Sequence, residues 1–154
     1  MAETAHRTLT IPSDTAYLAQ VRKAVLDVAA RARFPTSEAH LVALAVDEAI
    51  ANIIEHAYAS GRGGRSQEVQ ICLEAGPVRF RAVIRDAGLQ FDPTKIPSLD
   101  IKSHIARGAK GGLGIYIIRR IMDQICYSYL EGKYNELLLI KGVDNQGGRA
   151  RSPS

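Results

Sequence analysis

Four polar side chains interrupt the apolar run DEAIANIIEHAY at residues 47–58: Glu48, Asn52, Glu55 and His56. On an α-helix their spacings gather them into a stripe roughly 100° wide. Val42, Val46, Ile50, Ile53 and Ala57 fall on the opposite side, as in a plain amphipathic helix. However, Leu41, Leu44 and Ala45 lie on the polar stripe's own side, one to two turns earlier. A helix apolar nearly all round is expected to be buried for most of its length. A carboxylate or amide held there needs partners and is expected to line a cavity. Glu55 is the member of the stripe expected at the surface.

Two further stretches carry chemistry. In RDAGLQFDP (85–93), Asp86 ends an apolar run and is followed by Gly88. A carboxylate there can accept a hydrogen bond from a ligand amine, and a glycine lets a planar group approach the backbone. The plain alternative is an Asx turn. In KGGLGIYIIRRIMD (110–123), three glycines precede a helical pattern, with Lys110 beside them. Free N–H groups at a helix start make a phosphate site, and the lysine adds positive charge. The alternative is a helix-entry turn that needs glycine. Neither the Walker A pattern nor the GxGxxG fingerprint is present.

These residues need elements to hold them. Thr8–Ile11 reads as an edge strand stopped by Pro12, and Ser13 or Asp14 caps a helix ending near Phe34-Pro35. A second helix starts after Thr36 or Ser37 and stops around Ser60-Gly61, before the loop GRGGRSQ (61–67). Strands follow at Val69–Glu74 and Val78–Arg85, a helix at Leu113–Met122, and strands at Ile125–Leu130 and Glu136–Ile140. The order β-α-α-β-β-loop-α-β-β implies an α+β fold: helices covering one face of a mainly antiparallel sheet. Residues 1–141 are expected to form one domain, and the polar stretch 142–154 a disordered tail.

Composition narrows the function classes. At 154 residues, 46% hydrophobic and 23% charged, the chain can bury a real core and is not disordered wholesale. Its net charge of +4 is scattered, without a Lys/Arg run interleaved with aromatics, so no direct nucleic-acid contact is expected. Cys72 and Cys126 sit in apolar runs without CxxC spacing and read as buried free thiols, as suits a reducing cytoplasm. No signal-peptide pattern or membrane-spanning apolar run is evident, so a soluble cytoplasmic protein without membrane contact is expected.

Taken together, EAIANIIEHAY (48–58), RDAGLQFDP and GGLGIYIIRRIMD resemble the N box and two glycine boxes of the GHKL ATP-binding superfamily. YNELLLIK (134–141) is similar to the closing strand, and the chain most resembles bacterial anti-sigma-factor serine/threonine kinases over residues 8 to 141. The resemblance implies a Bergerat-type two-layer α/β sandwich with a flexible ATP lid at about 92–111. It implies ATP and Mg²⁺ as cofactors, with Asn52 as the metal ligand and Glu48 as the catalytic base. Asp86 would accept the adenine amino proton, with Gly88 giving the base room. Gly112, Leu113 and Gly114 would bring backbone to the phosphates, and Lys110 would steady the terminal one. Gln90 departs from the Gly or Pro common there, and His56 is assigned a supporting role.

The implied activity is transfer of the ATP γ-phosphate to a STAS-type anti-anti-sigma protein. The same molecule would bind a sigma factor and act as a homodimer. A second reading is an ATP-gated interaction module of the same fold without productive transfer. A third is a nucleotide-free interaction domain that keeps the boxes for folding.

Overall fold

In the computed structural model, residues 4–58, 68–88, 92, 94, 113–130 and 133–143 are described, with backbone alone at 56–58. Five strands form one sheet: β1 (Ala5–Pro12), β2 (Glu68–Ala75), β3 (Arg79–Asp86), β4 (Gln124–Leu130) and β5 (Tyr134–Gly142). Their order is β1-β2-β3-β5-β4, and every neighbouring pair is antiparallel. Period-2 alternation decides which face is covered. Leu9, Ile11, Ile71, Leu73, Phe80, Ile84, Leu137 and Leu139 point into the core, each worth about 1.5–3 kcal/mol of burial.

Three α-helices cover that face: α1 (Leu18–Arg31), α2 (Thr36–Tyr58) and α3 (Leu113–Ile121). α1 buries Val21, Ala24, Val25 and Val28, while α2 buries Val42, Val46, Ala49 and Ile50. The corner between α1 and α2 sets how they pack. Phe34 N–H donates to Ala29 O and Arg33 N–H to Ala30 O, the paired bonds of a Schellman cap. Arg33 takes the left-handed position, with φ of 58°. Phe34 then turns inward and meets Phe80 edge to face at 5.7 Å, tying the corner to β3. At the far side Lys141 Nζ lies 3.6 Å from Glu38 Oε2, joining β5 to the first turn of α2.

The expected α+β fold, with helices on one face of an antiparallel sheet, is the observed one. Several boundaries moved. β1 starts at Ala5 because its pairing with β2 runs the full length, Ala5 opposite Ala75 through Pro12 opposite Glu68. Asp14 caps a 3-10 turn, Thr15–Tyr17, rather than α1 directly, its Oδ1 accepting from Ala16 N–H at 2.9 Å. α1 stops at Arg31, short of Phe34-Pro35, because the Schellman cap closes it there. β5 runs to Gly142, and Val143 N–H donates to Val78 O, so these two residues are held by the sheet rather than frayed.

Two burial expectations are corrected. Ala45 is fully buried, but Leu41 and Leu44 are exposed, so α2 is not buried all round in its first half. Nor are both thiols buried: Cys72 is half-buried and Cys126 exposed. The cause is strand parity. Cys72, Val83, Leu138 and Cys126 form one register row on the face of the sheet turned away from α1, α2 and α3. Among the described residues no helix is long and apolar enough to cross a membrane.

Candidate functional site

Asp86 is the last residue of β3, and parity with Ala82 and Ile84 turns its side chain toward the helices, where it is buried. Its register partner on β5 is Asn135, also buried. Gly88 N–H donates to Asp86 Oδ2 at 2.9 Å, and Asn135 Nδ2 donates to the same oxygen at 3.3 Å. Asn135 Nδ2 also reaches Gly88 O at 3.1 Å, while Tyr127 Oη donates to Asn135 Oδ1 at 2.7 Å. The Asx turn is therefore real, yet it uses only Oδ2. Asp86 Oδ1 accepts no hydrogen bond among the described residues. Burial pushes the Asp86 carboxyl above the ordinary aspartate range, and the bonds from Gly88 and Asn135 pull it back.

α2 closes the same space from above. A narrow cleft is lined by Ala49, Asn52 and Ile53 of α2, Asp86 of β3, Tyr127 of β4, and Asn135 and Leu137 of β5. Asn52 and Asp86 thus face one cleft although 34 positions separate them in the chain. Asn52 Nδ2 is buried without a hydrogen-bond partner among the described residues. An unsatisfied buried amide costs about 1–3 kcal/mol, so a group that meets it there is favoured.

The first turn of α3 abuts this side of α2. A Cβ added at Gly114 would lie 2.6 Å from Glu48 Oε2 and 3.2 Å from Asn52 Nδ2. Only a residue without a side chain leaves the Glu48 carboxylate the position it holds at that point. The same contact brings the first turn of α3, whose N–H groups have no intrahelical acceptor, beside Glu48 and Asn52. Glu48 is half-buried, and its carboxyl is raised above the ordinary range, first by burial and then by the neighbouring Asp47 charge. Asp47 is itself raised by burial and lowered by Arg22 of α1, whose Nη2 lies 3.7 Å from Asp47 Oδ1.

The fold therefore brings Glu48, Asn52, Asp86, Gly88 and Gly114 to one side of the molecule. Leu113 opens α3 and is exposed; Glu55 is exposed as expected. Lys110 and Gly112, the side chain of His56, and the lid apart from Asp92 and Thr94 lie outside the described residues. Sequence reasoning missed Tyr127 and Asn135. Asn135 had a readable signal, since it shares its parity with the core residues Leu137 and Leu139, which places it on the face that the helices cover. Arg22 and Asp47 were missed too, and no local pattern pairs them.

Residues 11–141 match the protein-family model described as histidine kinase-like ATPase domain. The chain is 30% identical over 126 residues to Serine-protein kinase RsbW of Bacillus cereus (strain AH187), covering 79% of this chain and 76% of that protein. The same figures hold for Serine-protein kinase RsbW of Bacillus anthracis. Among solved structures, the crystal structure of the SiaB-SiaC complex from Pseudomonas aeruginosa superposes with a TM-score of 0.63 at 19% identity. That match covers 87% of this chain and 88% of the other, and it concerns the fold alone.

Proposed function

This chain belongs to the histidine kinase-like ATPase domain family, and on that premise we propose that it is an ATP-dependent serine/threonine protein kinase of the anti-sigma-factor type. Its acceptor is a STAS-domain anti-anti-sigma protein, and a sigma factor is its second partner. The working species is a cytoplasmic homodimer. Similarity to the serine-protein kinases named above supports the reaction class.

One observation carries the reading: Asn52 and Asp86 line a single cleft, with Glu48 one helical turn from Asn52 and the glycine start of α3 against both. The residues fit the nucleotide. Asp86 Oδ1 is an acceptor without a partner among the described residues, suited to an exocyclic amine. Asn52 suits a ligand role through its amide carbonyl, a hard oxygen donor for Mg²⁺, while its Nδ2, without a partner among the described residues, is a donor suited to a phosphate oxygen. Bound Mg-ATP supplies the transferable phosphoryl group and the charge neutralisation that phosphoryl transfer needs.

The chain's own residues do the rest. Asp86 orients the base end, held in place by Gly88 and Asn135. The α3 start, with Gly112, Leu113 and Gly114, receives phosphate oxygens on its backbone N–H groups, and Lys110 adds charge from the lid. Glu48 takes the proton from the acceptor hydroxyl. Its raised carboxyl brings its basicity closer to neutral pH than an ordinary glutamate's, which favours that role.

The test is direct. Purified protein, Mg-ATP and the STAS-domain proteins of the same cell are incubated together, and serine or threonine phosphate is read by mass spectrometry. Label on a STAS protein is expected. Nucleotide binding without any transfer would leave the gated interaction module as the function.

A further inference from the structure

The helical stripe that holds Glu48 does not end with polar residues. Counting 100° per residue, Leu41, Leu44, Glu48, Asn52 and Glu55 fall within roughly 80° of one another, with Glu48 near the middle. Leu41 and Leu44 are each 42% exposed on this stripe, while Ala39, Val42, Ala43, Ala45 and Val46 of the same half of α2 are buried. Leu44 stands roughly 6 Å and Leu41 roughly 10 Å along the axis from Glu48. Leu113 is 39% exposed and precedes Gly114, the residue in contact with Glu48. Single exposed leucines are common and mean nothing. Three around one half-buried carboxylate are a patch, and patches on soluble proteins mark contacts.

We propose that Leu41 and Leu44, continued by Leu113, form the docking surface for the phosphoacceptor protein. This rests on the kinase reading above. The occupant follows from the position of the patch. A macromolecular hydroxyl can reach Glu48 only if its own surface covers what surrounds Glu48, and among the described residues the exposed apolar part of those surroundings is the leucines. Charge sets the acceptor's chemistry further. Glu48 and Glu55 both lie on this stripe, whereas Asp47 turns to Arg22 of α1, so the acceptor offers no carboxylates beside its hydroxyl. Its serine or threonine sits on an aliphatic, non-acidic surface. In the transfer, the acceptor oxygen forms its bond to the γ-phosphorus, the bond from that phosphorus to the leaving ADP oxygen breaks, and the hydroxyl proton passes to Glu48.

The experiment compares the wild type with the double variant Leu41→Gln/Leu44→Gln, which keeps helix propensity and removes the apolar surface. The acceptor is the STAS-domain protein that the wild type phosphorylates. The expected result is a KM for that protein raised about tenfold or more, with kcat little changed, as for loss of interface anchors. Affinity for a fluorescent ATP analogue stays the same, and Val78→Thr, on an exposed residue between β2 and β3, changes nothing. An unchanged KM overturns the proposal. So does a loss of sigma-factor binding at unchanged KM, or a changed oligomeric state by sedimentation, since each assigns the patch to another occupant. A wild type that binds nucleotide but phosphorylates no STAS protein defeats the kinase reading itself, and the docking surface falls with it.

Discussion

The two ends of the cleft are built differently. At the Asp86 end the protein satisfies its own groups: Gly88, Asn135 and Tyr127 form a chain of hydrogen bonds across β3, β5 and β4, leaving one carboxylate oxygen over. At the Glu48 end the side chains stand on one helix, half-buried, and Asn52 Nδ2 has no partner among the described residues. The first end lies on paired strands whose register is fixed along their length. The second depends on the space between α3 and α2, and Gly114 leaves the room there that Glu48 Oε2 and Asn52 Nδ2 occupy. On the proposed kinase reading, recognition of a base would fall where the backbone is most constrained. Chemistry on a moving phosphoryl group would fall to side chains with room to be met.

Substitutions can break that contrast in graded steps. Glu48→Gln is expected to lower phosphotransfer by about 10²–10⁴-fold, measured by transfer kinetics, with nucleotide affinity unchanged. Equal loss of both would make Glu48 a binding residue and erase the division of labour. Gly114→Ala comes next. Alanine favours a helix by about 1 kcal/mol, and the atom it meets is the flexible end of Glu48, so thermal stability should change little. Transfer should still drop by about 100-fold, because Glu48 is pushed off its position. A fall in stability with transfer retained would reduce Gly114 to a packing residue.

At the other end, Asp86→Asn presents a donor where an acceptor is needed. ATP affinity is expected to fall by the cost of an unpaired buried group, about 1–3 kcal/mol by titration calorimetry. The same variant tests the pH dependence. The Asp86 carboxyl is raised in the folded chain, so the native state holds its proton longer than the unfolded state. Its contribution is full below the ordinary aspartate range and is lost as pH rises through the folded value. Asp86→Asn should therefore flatten the fall in stability over that window; Asp47 and Glu48 shift the same way, so the difference between the two curves isolates Asp86. A parallel pair of curves would show that its burial is already compensated. The smallest effect is expected for Tyr127→Phe, which removes the outermost bond to Asn135 and should cost about 0.5–1.5 kcal/mol of stability in denaturant unfolding.

Much of the scaffold was legible because local rules governed it. The strands announced themselves by alternation and the helices by their 3.6 period, and ends shifted only where pairing or a cap overrode the local signal, as at Ala5 and Arg31. The site was legible in part. Glu48 and Asn52 could be grouped by helical spacing, and Asp86 could be placed at a strand end followed by glycine. Burial was the weaker inference, since Leu41, Leu44 and Cys126 are apolar by type yet exposed by position. Helical and strand periods say which residues share a face; they do not say which faces receive a neighbour.

By itself, then, the sequence determined the element types, which strand residues share a face and the residue types available for chemistry, because these depend on backbone preference and short-range periodicity. Only the tertiary structure decided that Asn52 and Asp86 share a cleft, that Asn135 and Tyr127 hold Asp86, and that Gly114 touches Glu48. Those contacts join residues far apart in the chain. They exist because α2 and α3 pack on one face of a sheet whose strand order places β5 between β3 and β4.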